Sequence, residues 1–240
     1  MSFLSWGPAA VRPLAAPAAD GPGNPWFSWQ YVHDNADTLR SALVSHAGLT
    51  ARTVIIALIV ALPLAVLAYW IKALTGPILA LSGVLYTIPS LALLALLAPA
   101  VGTTKDTSVL IALVLYALLV LVRNALTGLT QVPDEVREAA TGMGYGRFGR
   151  LWRVELPLAL PGIVTGLRLA TVSTVALVTV GSLIGQGGLG DLILGGFRNN
   201  FYKAEILTAS ILCVALALIL DLALAGLGRL LTPWSRERAA

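Results

Sequence analysis

Reactive side chains are scarce in this sequence. Its two histidines, His33 and His46, lie thirteen residues apart in the N-terminal region, where a solvated or capping role is the ordinary one. Cys213 stands alone in an apolar run, which excludes an intrachain disulfide or a thiolate metal cluster. There is no Gly-x-x-x-x-Gly-Lys loop to cradle a nucleotide phosphate, and no cluster of His, Asp, Glu or Ser at one depth for catalysis. No catalytic, cofactor or metal residue is therefore expected. What remains are groups that pair, dock or line a path. They are a basic stretch around residues 137–161, two charges (Arg168 and Asp221) inside apolar runs, a polar patch at 86–90, and a glycine cluster at 185–190.

The elements that must position these groups are apolar. Hydrophobic residues make up 57% of the 240 positions and charged residues 12%, against about 25% charged in soluble domains. Mean hydropathy is +0.83. A soluble core of this size would need a charged shell that the chain cannot supply. The formal charge of +4 is small and is not gathered into a groove, so a nucleic-acid partner is not expected. Five apolar runs, at 50–71, 77–101, 107–126, 162–184 and 205–228, each approach the roughly 20 residues that cross a bilayer. The composition thus predicts an all-α polytopic membrane protein with lipid as its solvent. Residues 1–48 form an N-terminal region: a tail to about Asn24, then an amphipathic helix over 26–49 that lies on the membrane in preference to spanning it. Residues 49–231 form the membrane domain, and 232–240 a short tail.

The loop at 131–161 separates the third and fourth spans. Val132-Pro133-Asp134-Glu135 reads as a helix start, with proline near the first position and acids at the positive end of the dipole. The helix carries Arg137, Glu138, Ala139 and Ala140 and stops at Gly142 or Gly144, where glycine permits left-handed backbone. A second helix follows from Arg147. At about 100° per residue, Arg147, Arg150 and Arg153 share one face and Phe148, Leu151, Trp152 and Leu156 another, until Leu156-Pro157 and Leu160-Pro161 end it. The expected product is a compact docking knob followed by a basic amphipathic helix. With this loop inside the cell, ten basic residues fall on the inner side and six on the outer, placing the N-terminus outside and the C-terminus in the cytoplasm.

Three further groups belong to the spans. Tyr86, Thr87 and Ser90 flank Pro89 and either line a path or satisfy a proline kink locally; Tyr116 and Asn124 are weaker lining candidates. Gln186 sits in the glycine cluster, which reads as an outer gate, a surface for a delivery protein, or an ordinary turn. Arg168 and Asp221 fall at similar depths on antiparallel spans and are expected to pair. Tyr69-Trp70 reads as an interfacial anchor.

Glu138-Ala139-Ala140, three residues, Gly144, nine residues, Val154, one residue, then Leu156-Pro157 resembles the EAA motif of permease subunits in binding-protein-dependent ABC importers, with Val154 in place of the usual isoleucine. The stretches at 88–94, 123–129, 154–161 and 183–191 are similar to the osmoprotectant branch of that family, and the likeness covers about residues 50–228. The resemblance implies a type I ABC importer (MetI-like) permease fold of about five transmembrane helices plus a cytoplasmic coupling helix. It implies contact with ABC ATPase subunits through Arg137, Glu138, Ala139, Ala140, Gly142, Gly144, Leu156 and Pro157, with ATP and Mg bound on the ATPase. A second permease subunit, identical or paralogous, and an extracytoplasmic solute-binding protein would complete the importer. The implied cargo is a quaternary ammonium solute such as glycine betaine, choline, carnitine or proline betaine. Methionine or another amino acid is the nearest alternative, and a channel of another kind a remoter one.

Overall fold

A computed structural model describes residues 23–101 and 105–235; the tail expected to about Asn24 lies outside them up to residue 22, as do the last five residues, while Asn24 itself is buried, its amide donating to Phe201 O and its Oδ1 accepting from the Lys203 N–H. Every regular element among the described residues is helical. Helix α1 (Trp29–Asp34) starts at Ser28, whose Oγ accepts the Tyr31 N–H. Helix α2 (Ala36–Trp70) runs unbroken for 35 residues. At about 1.5 Å per residue it exceeds the roughly 30 Å of hydrocarbon. The separate helix expected over 26–49 is thus not found, because its second half is the beginning of the first span. No proline interrupts residues 36–62, and Gly48 alone is too weak a breaker.

Helix α3 (Lys72–Thr87) and helix α4 (Ser90–Ala100) replace the single second span expected over 77–101, and they meet at 94°. Ile88 precedes a proline, which drives it out of the helical region, and Pro89 is extended as well (φ −55°, ψ 133°). The chain therefore stops and restarts, where a kink had been expected. Together the two helices are apolar enough for one span. α3 begins two residues after Trp70, at the end of the bundle where Arg147 bonds Trp70 O, whereas Leu93 and Leu94 of α4 pack beside Val109 and Val178.

Helix α5 (Lys105–Thr130) is the central post. Ala57, Ala61, Ala65 and Ala68 of α2 form a fully buried seam in the same core as Leu118, Leu121, Val122 and Ala125 of α5. Small residues at this spacing let helices approach where lipid supplies no hydrophobic drive between them.

Helix α6 (Asp134–Gly142) and the short α7 (Arg147–Arg150) follow. α7 continues through a π turn, Leu151–Glu155, into α8 (Leu156–Val178) and a 3-10 segment, Thr179–Ile184, as one rod over Arg147–Ile184. The expected stop at Pro157 and Pro161 is not found. The Leu156 N–H reaches Leu151 O five residues back, so the widened turn falls where Pro157 has no N–H to offer. Beyond it, Thr165 Oγ donates to Pro161 O. α8 crosses α5 closely: a Cβ on Gly162 would lie 2.9 Å from Gly128 Cα, and one on Gly166 2.5 Å from Asn124 Cβ. Helix α9 (Leu189–Arg198) lies across the end of the bundle, and α10 (Lys203–Leu231) is the last span. Four of the described helical stretches are long and apolar enough to cross a membrane, and the bent α3–α4 pair, taken as one span, makes a fifth.

Candidate functional site

At one end of the bundle the loop 131–161 folds into a braced knob. Pro133 is the N-cap residue of α6, and Asp134 and Glu135 occupy its first turn. Gly144, at φ +85°, ends it: the Gly144 N–H reaches Thr141 O and the Tyr145 N–H reaches Ala140 O. Glu138, Ala139 and Gly142 are exposed, and Ala140 is 1% exposed against the neighbouring turns. The helix thus shows an acid and a small residue outward and is fastened from behind.

The fastening uses the end of α2. Arg137 donates from Nη1 to Tyr69 Oη (3.1 Å) and from Nη2 to Val132 O, and it pairs with Asp134 at 2.6 Å. Arg147 donates to Trp70 O, and its guanidinium lies 4.4 Å over the Trp70 ring. Phe148 meets the same ring edge-on at 5.0 Å. Tyr69 and Trp70, expected as an interfacial anchor, therefore also clamp the loop.

The expected two-faced helix from Arg147 is not found. Leu151 is buried, while Phe148 and Trp152 are 67% and 69% exposed. The π turn rotates everything after it, and each arginine takes a different partner. Arg150 bonds Glu155 Oε1 (2.8 Å) and Thr141 Oγ, and Arg153 faces the Tyr145 ring. Glu155, fully buried, was missed as a site residue: five residues from Arg150, it aligns with it only through a π turn, which 3.6-residue periodicity does not show. Leu156 and Pro157 follow it, half-buried.

The other end is built from glycine. Gly185 and Gly188 have φ of 77° and 53°. Cβ atoms on Gly187 and Gly190 would lie 2.5 and 2.6 Å from the Ser182 and Thr179 backbones, and one on Gly188 2.9 Å from His46 N. The Gly187 N–H donates to both Asp191 oxygens at 3.1 Å; burial pushes that carboxyl above the usual range, and the Gly187 and Gly188 amides pull it back. His46 is not solvated. It is fully buried, and Nε2 donates to Val175 O (3.0 Å) near the point where α8 tightens into the 3-10 segment. Gln186 sits half-buried in this turn.

Of the lining candidates, four come together. Tyr116 Oη donates to Ile88 O, Tyr86 stacks edge-on to Tyr116 at 5.8 Å, Thr87 Oγ donates to Val84 O, and Ser90 starts α4. Tyr116 and Ser90 also line a narrow cleft with Leu94, Val109 and Leu177. Asn124 is apart from them, its amide on Val120 O and its side chain against Gly166 in the α5–α8 crossing. Arg168 and Asp221 join α8 to α10 through two bonds, Nε to Oδ1 (2.8 Å) and Nη2 to Oδ2 (2.7 Å).

Residues 54–237 match the family model described as "Binding-protein-dependent transport system inner membrane component". The chain is 35% identical over 208 residues to the glycine betaine/carnitine/choline transport system permease protein OpuCD of Bacillus subtilis, covering 87% of this chain and 90% of that one. It is 38% identical over 210 residues to the osmoprotectant import permease protein OsmW of Salmonella typhimurium, covering 85% and 96%. Among solved structures it resembles the inward-facing MetNI methionine ABC transporter with a TM-score of 0.76 at 23% identity, over 83% of this chain and 98% of that one.

Proposed function

Since this chain belongs to the binding-protein-dependent transport system inner membrane components, we propose that it is the permease of an ABC importer for quaternary ammonium osmoprotectants, such as glycine betaine, choline or carnitine. The observation that carries the coupling role is α6, with Glu138 and Ala139 bare on its outer side while Arg137 and the Ala140 face bind it to α2 and the π turn. A push on such a knob passes into α2 through Tyr69 and Trp70, and into α8 through Arg150 and Glu155. In this reading the knob seats on a cytoplasmic ATPase subunit that binds ATP and Mg, and the chain crosses with its N-terminus outside and its C-terminus in the cytoplasm. A second permease subunit and an extracytoplasmic solute-binding protein complete the assembly.

ATP acts on the inward–outward equilibrium only through its different affinity for the two states of the ATPase pair. This chain converts closure of that pair into reorientation of the helices around the α3–α4 break, where Tyr86, Thr87, Ser90 and Tyr116 face the passing solute. The exposed Tyr86 ring offers a π face to a quaternary ammonium group. Gln186 belongs to the rim on the side of the binding protein. The likeness to the methionine transporter, at 23% identity, speaks for the fold alone.

The test is Gly144→Asp in the assembled importer. A Cβ there meets no neighbouring atom, so the change strains one turn at the knob and leaves the membrane core untouched. Uptake of radiolabelled betaine is expected to fall roughly 5–150-fold, as for the loss of about 1–3 kcal/mol of coupling, while membrane insertion stays normal. Wild-type uptake would refute the coupling role; uptake of methionine but of no quaternary ammonium solute would refute the cargo.

A further inference from the structure

A cavity of about 590 Å³ lies behind the knob, walled by the end of α2 (Ala68, Tyr69, Trp70), the start of α3 (Lys72, Thr75), the end of α5 (Leu126, Thr130), and Asp134, Arg137, Arg147 and Arg150. Its size falls within the roughly 300–1,000 Å³ of small-ligand sites. Four cations line it against a single carboxylate. Asp134 holds Arg137, and Glu155 holds Arg150 from outside the lining. Lys72 and Arg147 have no carboxylate within ion-pair distance among the described residues. Two lining residues also keep a buried N–H without an acceptor, Arg137 Nε and Trp70 Nε1. Finally, α3 begins here without a side-chain cap, so the positive end of a 16-residue helix faces the same place.

Unanswered donors, surplus positive charge and an uncapped helix start call for an anion with several acceptor oxygens. We propose that this cavity binds an anionic phosphate, supplied by a phospholipid headgroup or as free phosphate. A guanidinium fork, an ammonium and helix-start amides are together the donor set such a group takes. The cavity also stands where a headgroup would reach it: Ile71, between the lining residues Trp70 and Lys72, is an apolar side chain 46% exposed at the end of a membrane span. The site requires only that the chain is embedded in a membrane, and holds whether or not α6 meets an ATPase.

Native mass spectrometry of the full chain, purified with the subunits it assembles with, reads the site directly. Dioleoylphosphatidylglycerol is expected to bind at about tenfold lower concentration than dioleoylphosphatidylcholine, a difference of about 1.4 kcal/mol, and the preference is expected to vanish in Lys72→Gln/Arg147→Gln. Inorganic phosphate that binds the wild type but not the double variant, with no lipid preference, would identify free phosphate as the source. Equal retention of both lipids without phosphate binding would overturn the proposal, as would a preference that survives the double variant. If that variant does not fold, Lys72→Gln alone decides, since Lys72 is exposed and makes no ion pair.

Discussion

The two ends of the bundle are held together by opposite means. At the knob end, long side chains reach across space: Arg137 to Tyr69, Arg147 to Trp70, Arg150 to Glu155. At the glycine end, backbones touch because nothing stands between them, as where Gly190 lies on Thr179 and Gly188 on His46. Side-chain braces span several ångströms and yield a little under load, which suits a part that transmits force. Backbone contact leaves no slack. The two ends thus differ in what connects their elements, long charged and aromatic side chains at one and bare backbone at the other.

The largest expected effect breaks the glycine end. In Gly190→Ala the new Cβ falls 2.6 Å from Thr179 Cα and O, where no flexible atom can yield. Overpacking of this kind costs typically 1–3 kcal/mol and at times more, and about 3 kcal/mol is expected. Thermal unfolding in detergent measures it, and an unchanged midpoint would mean the rim is not close-packed. Next comes a brace. Glu155→Ala removes the buried carboxylate but leaves Arg150 partly open to water, so the loss is expected at about 2 kcal/mol, below the 3–5 kcal/mol of a fully buried pair. Restoring charge with Glu155→Asp should recover part of the midpoint; no recovery would show that packing rather than charge holds the turn. The smallest effect is Gly142→Ala. Its Cβ meets nothing, its φ is not positive, and alanine favours the helix by about 0.5–1 kcal/mol. The variant is expected to be slightly more stable, with betaine uptake reduced far less than in Gly144→Asp two residues away, because a methyl added to the expected ATPase contact at Gly142 strains no backbone. A loss of uptake as large as that of Gly144→Asp would show that the contact at Gly142 admits no side chain.

Several features were legible because they are local. Pro133, Asp134 and Glu135 start a helix and Gly144 ends it through backbone preferences that neighbouring residues carry with them. The alanine seam of α2 was equally open to reading, at spacings of four, four and three. Arg168 and Asp221 could be paired as candidates by depth, but that they meet through two bonds depends on how α8 and α10 are rotated. Pro157 misled because a proline's cost depends on whether the preceding turn can widen.

By itself the sequence determined the apolar spans, the knob with its start and stop, and the family resemblance, since burial free energy and backbone preference accumulate along consecutive residues. The tertiary structure alone decided that Ile88-Pro89 turns the chain by 94°, that His46 is buried on Val175, that Glu155 meets Arg150, and that four cations share one cavity. Each of these depends on groups brought together by helix packing, and the free energy that places them belongs to contacts between residues distant along the chain.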